Sequence, residues 1–193
     1  MSKSKTTFIL ALCILIVIEA GFFVWEYILR PSANLCDNPY GITIHCKDED
    51  LLQECLVEMD KLPKHLLLQF KRDGWSLFVG DGYLKDVRMQ FSDDRIMGMT
   101  RTVCKEVLVS GADEIAHEFG HYLYTALNEP SAFRAVYEEN APEADMPSYY
   151  RTNEQEYFAQ SFAFFINGVD AFDGIGETKA YFEALQKKGW TTV

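Results

Sequence analysis

Positive charge is scarce in this chain of 193 residues: 18 Lys and Arg stand against 29 Asp and Glu, a formal net charge of -11. Phosphate contacts need clustered cations, so the balance argues against a nucleic-acid partner. No internal repeat and no low-complexity segment occurs. With 48% hydrophobic and 14% aromatic residues, the chain is neither a disordered tail nor a fibre. The length suits one domain with a real core and is too short for a multidomain machine. None of the five cysteines has CxxC spacing, which makes a zinc-cysteine site a poor reading. Histidine occurs four times, at 45, 65, 117 and 121. Two of the four fall within one pentapeptide.

Long hydrophobic runs are also few, and the principal one lies at the amino terminus. Thr7 to Leu29 is apolar except for Glu19, Glu26 and a few small or hydroxyl residues, and as a helix it would span about 30 Å. Lys3 and Lys5 precede it and Arg30 follows, which favours a cytoplasmic amino terminus and an exported body. Residues 1–30 read as an uncleaved signal anchor, giving a single-pass membrane protein with an extracytoplasmic body. The alternative is a signal peptide cleaved after Ala20 and a secreted product. That alternative removes Glu19 from mid-bilayer but leaves GFFVWEYIL exposed. Neither Cys13 nor Cys36 follows the small residue of a lipoprotein cleavage site. Residues 1–30 hold three of the basic and two of the acidic side chains, so the body carries 15 and 27, a charge of -12.

Export permits disulfides. Cys36, Cys46, Cys55 and Cys104 allow three pairings; Cys36 with Cys46 would close a short loop, and Cys55 with Cys104 would tie a helix to a strand. Residues 31–45 read as a linker, with turn formers at 31–40, and residues 46–193 as the folded domain. Ile42 to Ile44, Trp75 to Val79, Val87 to Phe91 and Glu106 to Val109 read as strands, while Ile96 to Thr102 is ambiguous. Asp50 is expected to cap a helix ending at Pro63, followed by a short one up to Asp73-Gly74. Further helices are expected at 113–127, 131–139, 153–166 and 177–188. The fold class is α+β: a small antiparallel sheet packed against a helix bundle.

Positions 117–121 read His-Glu-Phe-Gly-His. On a helix, histidines at i and i+4 share a face and can hold one Zn²⁺, with the intervening glutamate placed to act on a water whose pKa the metal lowers. Ser110 to Asp113 fits a capping box before that helix. His45 and His65 lack metal spacing. Zinc needs a third protein ligand, and no histidine follows His121. The later helix from Asn153 offers Glu154 and Glu156, which cannot share a face, and periodicity gives Glu156 only a small edge.

SYYRTNEQEYFAQSFAFF after HEFGH resembles the catalytic domain of anthrax lethal factor and the related Pro-Pro endopeptidases of Gram-positive bacteria. These are zinc metallopeptidases of the gluzincin type with a zincin-like fold. The resemblance is sharpest over 110–166 and extends over the body from about residue 45; it does not cover the apolar amino terminus. It implies one Zn²⁺ per chain on His117, His121 and Glu156, with Glu118 as general base and a peptide or protein as substrate. It also implies that the Tyr149 hydroxyl steadies the oxyanion, with its neighbour Tyr150 as the competing choice. The family commonly has an acidic residue four positions after the ligand glutamate, where this chain has Gln160. The sheet edge near Glu106 to Val109 is the expected site for strand-like pairing with a peptide, and Met97 to Thr102 and the loop 140–148 are expected to shape subsites. Lethal factor also carries an inactive, partner-binding copy of the domain that lacks the histidine pair; this chain keeps it. A body of this size leaves no room for a delivery domain, so a toxin role is not implied.

Overall fold

The computed structural model describes residues 35–128, 130–169, 172 and 175–191. The chain divides after Asn34, and the described residues all belong to the second unit. The amino-terminal anchor or signal segment lies outside the described residues. Among those described, no helix is long and apolar enough to cross a membrane.

Four short strands form one sheet: β1 (Thr43–Cys46), β2 (Ser76–Val79), β3 (Gly98–Arg101) and β4 (Glu106–Val109), in the order β1-β2-β4-β3. The expected antiparallel sheet is instead mixed. β1 runs parallel to β2 and β2 parallel to β4; only β3 is antiparallel, to β4. The connections set these directions. Two helices, α1 (Glu49–Lys61) and α2 (Lys64–Arg72), separate β1 from β2, and α3 (Asp81–Phe91) follows β2. Crossovers of this length return the chain in the same direction, whereas the tight turn Thr102 to Lys105 must reverse it. Strand order also moves an edge: Glu106–Val109 lies between two partners, and the open strand on that side is β3.

Strand alternation divides the core. Leu77, Val79, Val107 and Val109 face the main cluster, while Phe78 and Leu108 face a smaller one completed by Leu84 and Val87 of α3. Val87 to Phe91, expected as a strand, is the end of that helix. Its alternating Val87, Met89 and Phe91 imitate a strand, yet Met89 and Phe91 are 62% and 57% exposed. The apolar pair that decides the structure is Leu84 and Val87, three apart on one helical face. Gly80, with φ 121°, makes the turn from β2 into α3.

α1 begins two residues earlier than expected, because Asp48 and not Asp50, in extended conformation, caps it by accepting from the Leu51 amide at 3.1 Å. Four further helices follow: α4 (Ile115–Ala126), α5 (Ser131–Asn140), α6 (Glu154–Asn167) and α7 (Gly176–Lys187). No capping box opens α4. A single 3-10 turn, Ala112–Glu114, leads into it without a side-chain cap, and the Ile115 amide bonds to Ala112 O. α4 makes its largest interface with α6. Aromatic rings fill the space around them, with Phe70 and Trp75 packed on Phe119 and Tyr122 of α4 and with Phe133, Phe158, Phe162 and Phe182 joining α5, α6 and α7.

No disulfide joins the described cysteines. Cys36 Sγ lies 3.5 Å from the Cys46 carbonyl, and Cys46 in turn interacts with buried Cys55. Cys104 sits in the exposed β3–β4 turn, beyond Glu106. Cys46 pairs through Val79 with Val109, at the opposite end of the sheet. A Cys55–Cys104 bridge therefore does not fit this fold.

Candidate metal centre

His117 and His121 project from one face of α4 towards the first turn of α6. Asn153 sets that turn: its Oδ1 accepts from the Glu156 amide at 2.9 Å, an N-cap that fixes where the helix starts and so which carboxylate faces α4. Glu156 Oε2 lies 3.4 Å from His117 Nε2 and 3.7 Å from His121 Nε2. The two imidazole nitrogens are 3.2 Å apart. Glu154, the other candidate, is committed elsewhere. Tyr124 Oη donates to its Oε1 at 2.9 Å and Arg134 Nε to its Oε2 at 3.1 Å.

These distances fit a metal. Bonds of about 2.0–2.1 Å in a tetrahedron put neighbouring donor atoms about 3.3–3.4 Å apart, and the triangle here has edges of 3.2, 3.4 and 3.7 Å. Glu156 Oε2 is buried and makes no hydrogen bond, a costly state for a carboxylate unless a cation faces it. Burial pushes its pKa up, but the two imidazoles outweigh that and hold it below the ordinary carboxylate range. Glu118 also brings a ligand atom within 4.8 Å of those of His117 and His121. It shares their helix but turns towards β3, leaving Glu156 as the carboxylate that completes the triangle.

Gln160, one turn beyond Glu156, places Oε1 3.1 Å from His117 Nδ1. With the amide oxygen accepting, Nδ1 carries the proton and Nε2 keeps its lone pair for a metal. The neutral amide thus has the acceptor needed to orient His117. Tyr149, in the 3-10 turn Ser148–Arg151, is 60% exposed. Partial burial, then the charge of the neighbouring Glu156 carboxylate, push the phenol up to about 12. Tyr150 instead lays its ring against His117, with centroids 5.4 Å apart. His45 stacks on Phe78 at 4.4 Å and His65 lies half-buried on α2; neither joins the cluster.

Glu118 is 4% exposed and at the floor of the cleft. Burial, reinforced by Glu156 and Glu114, raises its carboxyl to about 7 against the lowering pull of His117 and the Thr100 hydroxyl. A bound cation would add to that pull. Thr100 Oγ1 stands 2.7 Å from Glu118 Oε2, and a Cβ on Gly98 would overlap Glu118 Oε1 and approach its Cδ and Cγ to 2.8 Å.

Two glycines therefore shape the site in ways the sequence pattern did not reveal. Gly98 makes room for Glu118. Gly120 lets two helix backbones meet, since a Cβ there would lie 2.7 Å from Ala159 Cα and 2.9 Å from its carbonyl oxygen. A glycine inside a buried helix costs about 1 kcal/mol relative to alanine, a signal that was present at Gly120. Nothing comparable marked Gly98 or Thr100.

The cleft has a volume of about 790 Å³ and is walled on one side by β3 and on the other by Tyr149, Tyr150 and Gln155. Met97 to Thr100 line it as expected. The loop 140–148 does not; Ala141, Ala144 and Met146 are buried in the main core. Since the Ser110 amide bonds to Met97 O at 2.8 Å, antiparallel alternation turns the amides and carbonyls of Gly98 and Thr100 to the open edge. The strand presented for pairing is therefore Gly98–Arg101, not Glu106–Val109.

A mixed α+β domain with an HExxH helix docked on a glutamate-bearing helix, beside an open strand, is the class that fold and site define. The family described as anthrax toxin lethal factor, N- and C-terminal domain, matches residues 38–173, and the chain belongs to that family. No curated protein gives a significant match to the sequence.

Proposed function

We propose that the protein is a zinc-dependent endopeptidase acting on peptide or protein substrates outside the cytoplasm. One observation carries the reading: the triangle of His117 Nε2, His121 Nε2 and Glu156 Oε2, with Glu118 beside it at the floor of an open cleft. His117, His121 and Glu156 would hold the ion, leaving a fourth position open as catalytic zinc sites do. Zinc, when bound, supplies Lewis acidity that activates water at neutral pH and polarises the scissile carbonyl. Glu118 takes a proton from the attacking water and delivers it to the leaving amine. The Tyr149 hydroxyl donates to the oxyanion, and Gln160 keeps His117 in the ligating tautomer. An extended peptide pairs with the amides and carbonyls of Gly98 and Thr100 on β3.

The test is reversible metal removal. A chelator should abolish peptide hydrolysis by the purified protein, and one equivalent of zinc should restore it; hydrolysis that survives complete metal removal would refute the reading. Gln160→Ala should weaken zinc binding by about 10- to 100-fold, measured by competition with a chromophoric chelator. Tyr149→Phe should lower kcat by about 100- to 1000-fold while zinc content stays unchanged.

The second reading is an inactive binding module of the same family. Retention of both histidines and Glu156 in ligating geometry weighs against it. For localisation, Lys3, Lys5 and the apolar run from Thr7 support a single-pass anchor with the domain outside, or secretion if the segment is cleaved. An oxidising compartment would permit a Cys36–Cys46 bridge, a pairing supported by the approach of Cys36 Sγ to the Cys46 carbonyl.

A further inference from the structure

The general base of the proposed reaction belongs to α4, yet its carboxylate is held by another element. Glu118 Oε2 is 2.7 Å from Thr100 Oγ1, and the same hydroxyl is 3.0 Å from the Glu118 carbonyl. Oε1 occupies the space left by the missing side chain of Gly98. Residues 98 and 100 have their side-chain positions on the same face of β3, so the strand grips the carboxylate at two points. At those two residues the main-chain amides and carbonyls also point to the open edge. Met99, between them, faces the other way and packs against the smaller core.

Resting on the hydrolytic reading above, we infer that Thr100 is a positioning residue that fixes the Glu118 carboxylate and links it to the strand on which the peptide pairs. The hydroxyl has one proton to give, and the carboxylate oxygen at 2.7 Å is the stronger acceptor. Holding Oε2 leaves Oε1, beside Gly98, to reach towards the cleft. Glu118 has no other side-chain partner at hydrogen-bonding distance among the described residues. Without the Thr100 hydroxyl the buried carboxylate would rotate to find another donor, because leaving it unpaired is costly. A peptide seated on β3 immobilises the backbone that carries this hydroxyl. Substrate pairing and base alignment are thus served by the same two residues, which places Thr100 and Gly98 in the machinery although neither ligates the metal.

The test uses the zinc-loaded full chain and two substitutions that differ by the hydroxyl. Thr100→Val, which keeps the shape, should lower kcat by about 10- to 100-fold with KM within about twofold. Thr100→Ser should recover to within about threefold of the parent, and zinc content should be equal in all three. A Thr100→Val kcat within twofold of the parent, or a Thr100→Ser as slow as Thr100→Val, would overturn the proposal. Crystal structures supply a readout independent of turnover. The Glu118 carboxylate should lie against β3 in the parent and turn away in Thr100→Val. An unchanged Glu118 would overturn the inference, whereas a parent that shows the grip but cleaves no peptide would instead refute the endopeptidase reading.

Discussion

Glu118→Gln should lower kcat by about two to four orders of magnitude while zinc stoichiometry and thermal stability stay close to those of the parent. The amide keeps the shape of the side chain and can still meet the Thr100 hydroxyl, but it cannot take a proton from water. Folding should not suffer. The carboxyl is pushed up to about 7 chiefly by its burial, so replacing it by a neutral group removes a charge that the site tolerates poorly. Loss of activity together with retained or improved stability is the signature of a residue kept for chemistry. A Glu118→Gln that lost its zinc would place the residue among the ligands, and one that stayed active would remove it from the mechanism.

Gly120→Ala should be the most damaging change that touches neither metal nor substrate. Helix propensity alone would make it stabilising by about 1 kcal/mol. The added methyl would instead meet backbone atoms of Ala159 at 2.7 and 2.9 Å, and backbone cannot step aside as a flexible side chain can. Overpacking of this kind costs about 1–3 kcal/mol, enough to reverse the sign. The only relief is to part α4 from α6, which separates His117 and His121 from Glu156. Urea unfolding should therefore show a lower midpoint, and zinc affinity should fall with it. A variant more stable than the parent would show that the helices can separate without cost and that their contact does not set the metal geometry.

Much of the site was legible because its signals are local. The i, i+4 histidines of HEFGH lie within five residues, whereas periodicity barely separates Glu156 from Glu154 and the family resemblance makes that choice; the structure brings His117, His121 and Glu156 together through the Asn153 cap that orients Glu156. Gln160 shows how local reading can fall short: its amide lacks charge but has the acceptor that His117 needs. The sheet was harder. Strands of four residues carry no mark of direction, so the parallel pairing of β1, β2 and β4 emerges only from the crossovers through α1, α2 and α3. That misreading also put the open edge on Glu106–Val109, when it belongs to β3. Val87 to Phe91 alternates like a strand, and only the exposure of Met89 and Phe91 reveals that its period is not used. Gly98, Thr100 and Gly120 owe their roles to partners 18 to 39 positions away, as with the contacts of Thr100 to Glu118 and Gly120 to Ala159. No window along the chain contains both members of such a pair.

The central claim is that this domain hydrolyses peptide bonds with Glu118 as its base. A mass-spectrometric cleavage profile on an unbiased peptide library, run with zinc-loaded parent protein and with Glu118→Gln in parallel, tests it most directly. The parent should yield a defined set of internal cleavages that vanish in Glu118→Gln and on chelation. No cleavage by the parent, or the same cleavages from both proteins, would contradict it.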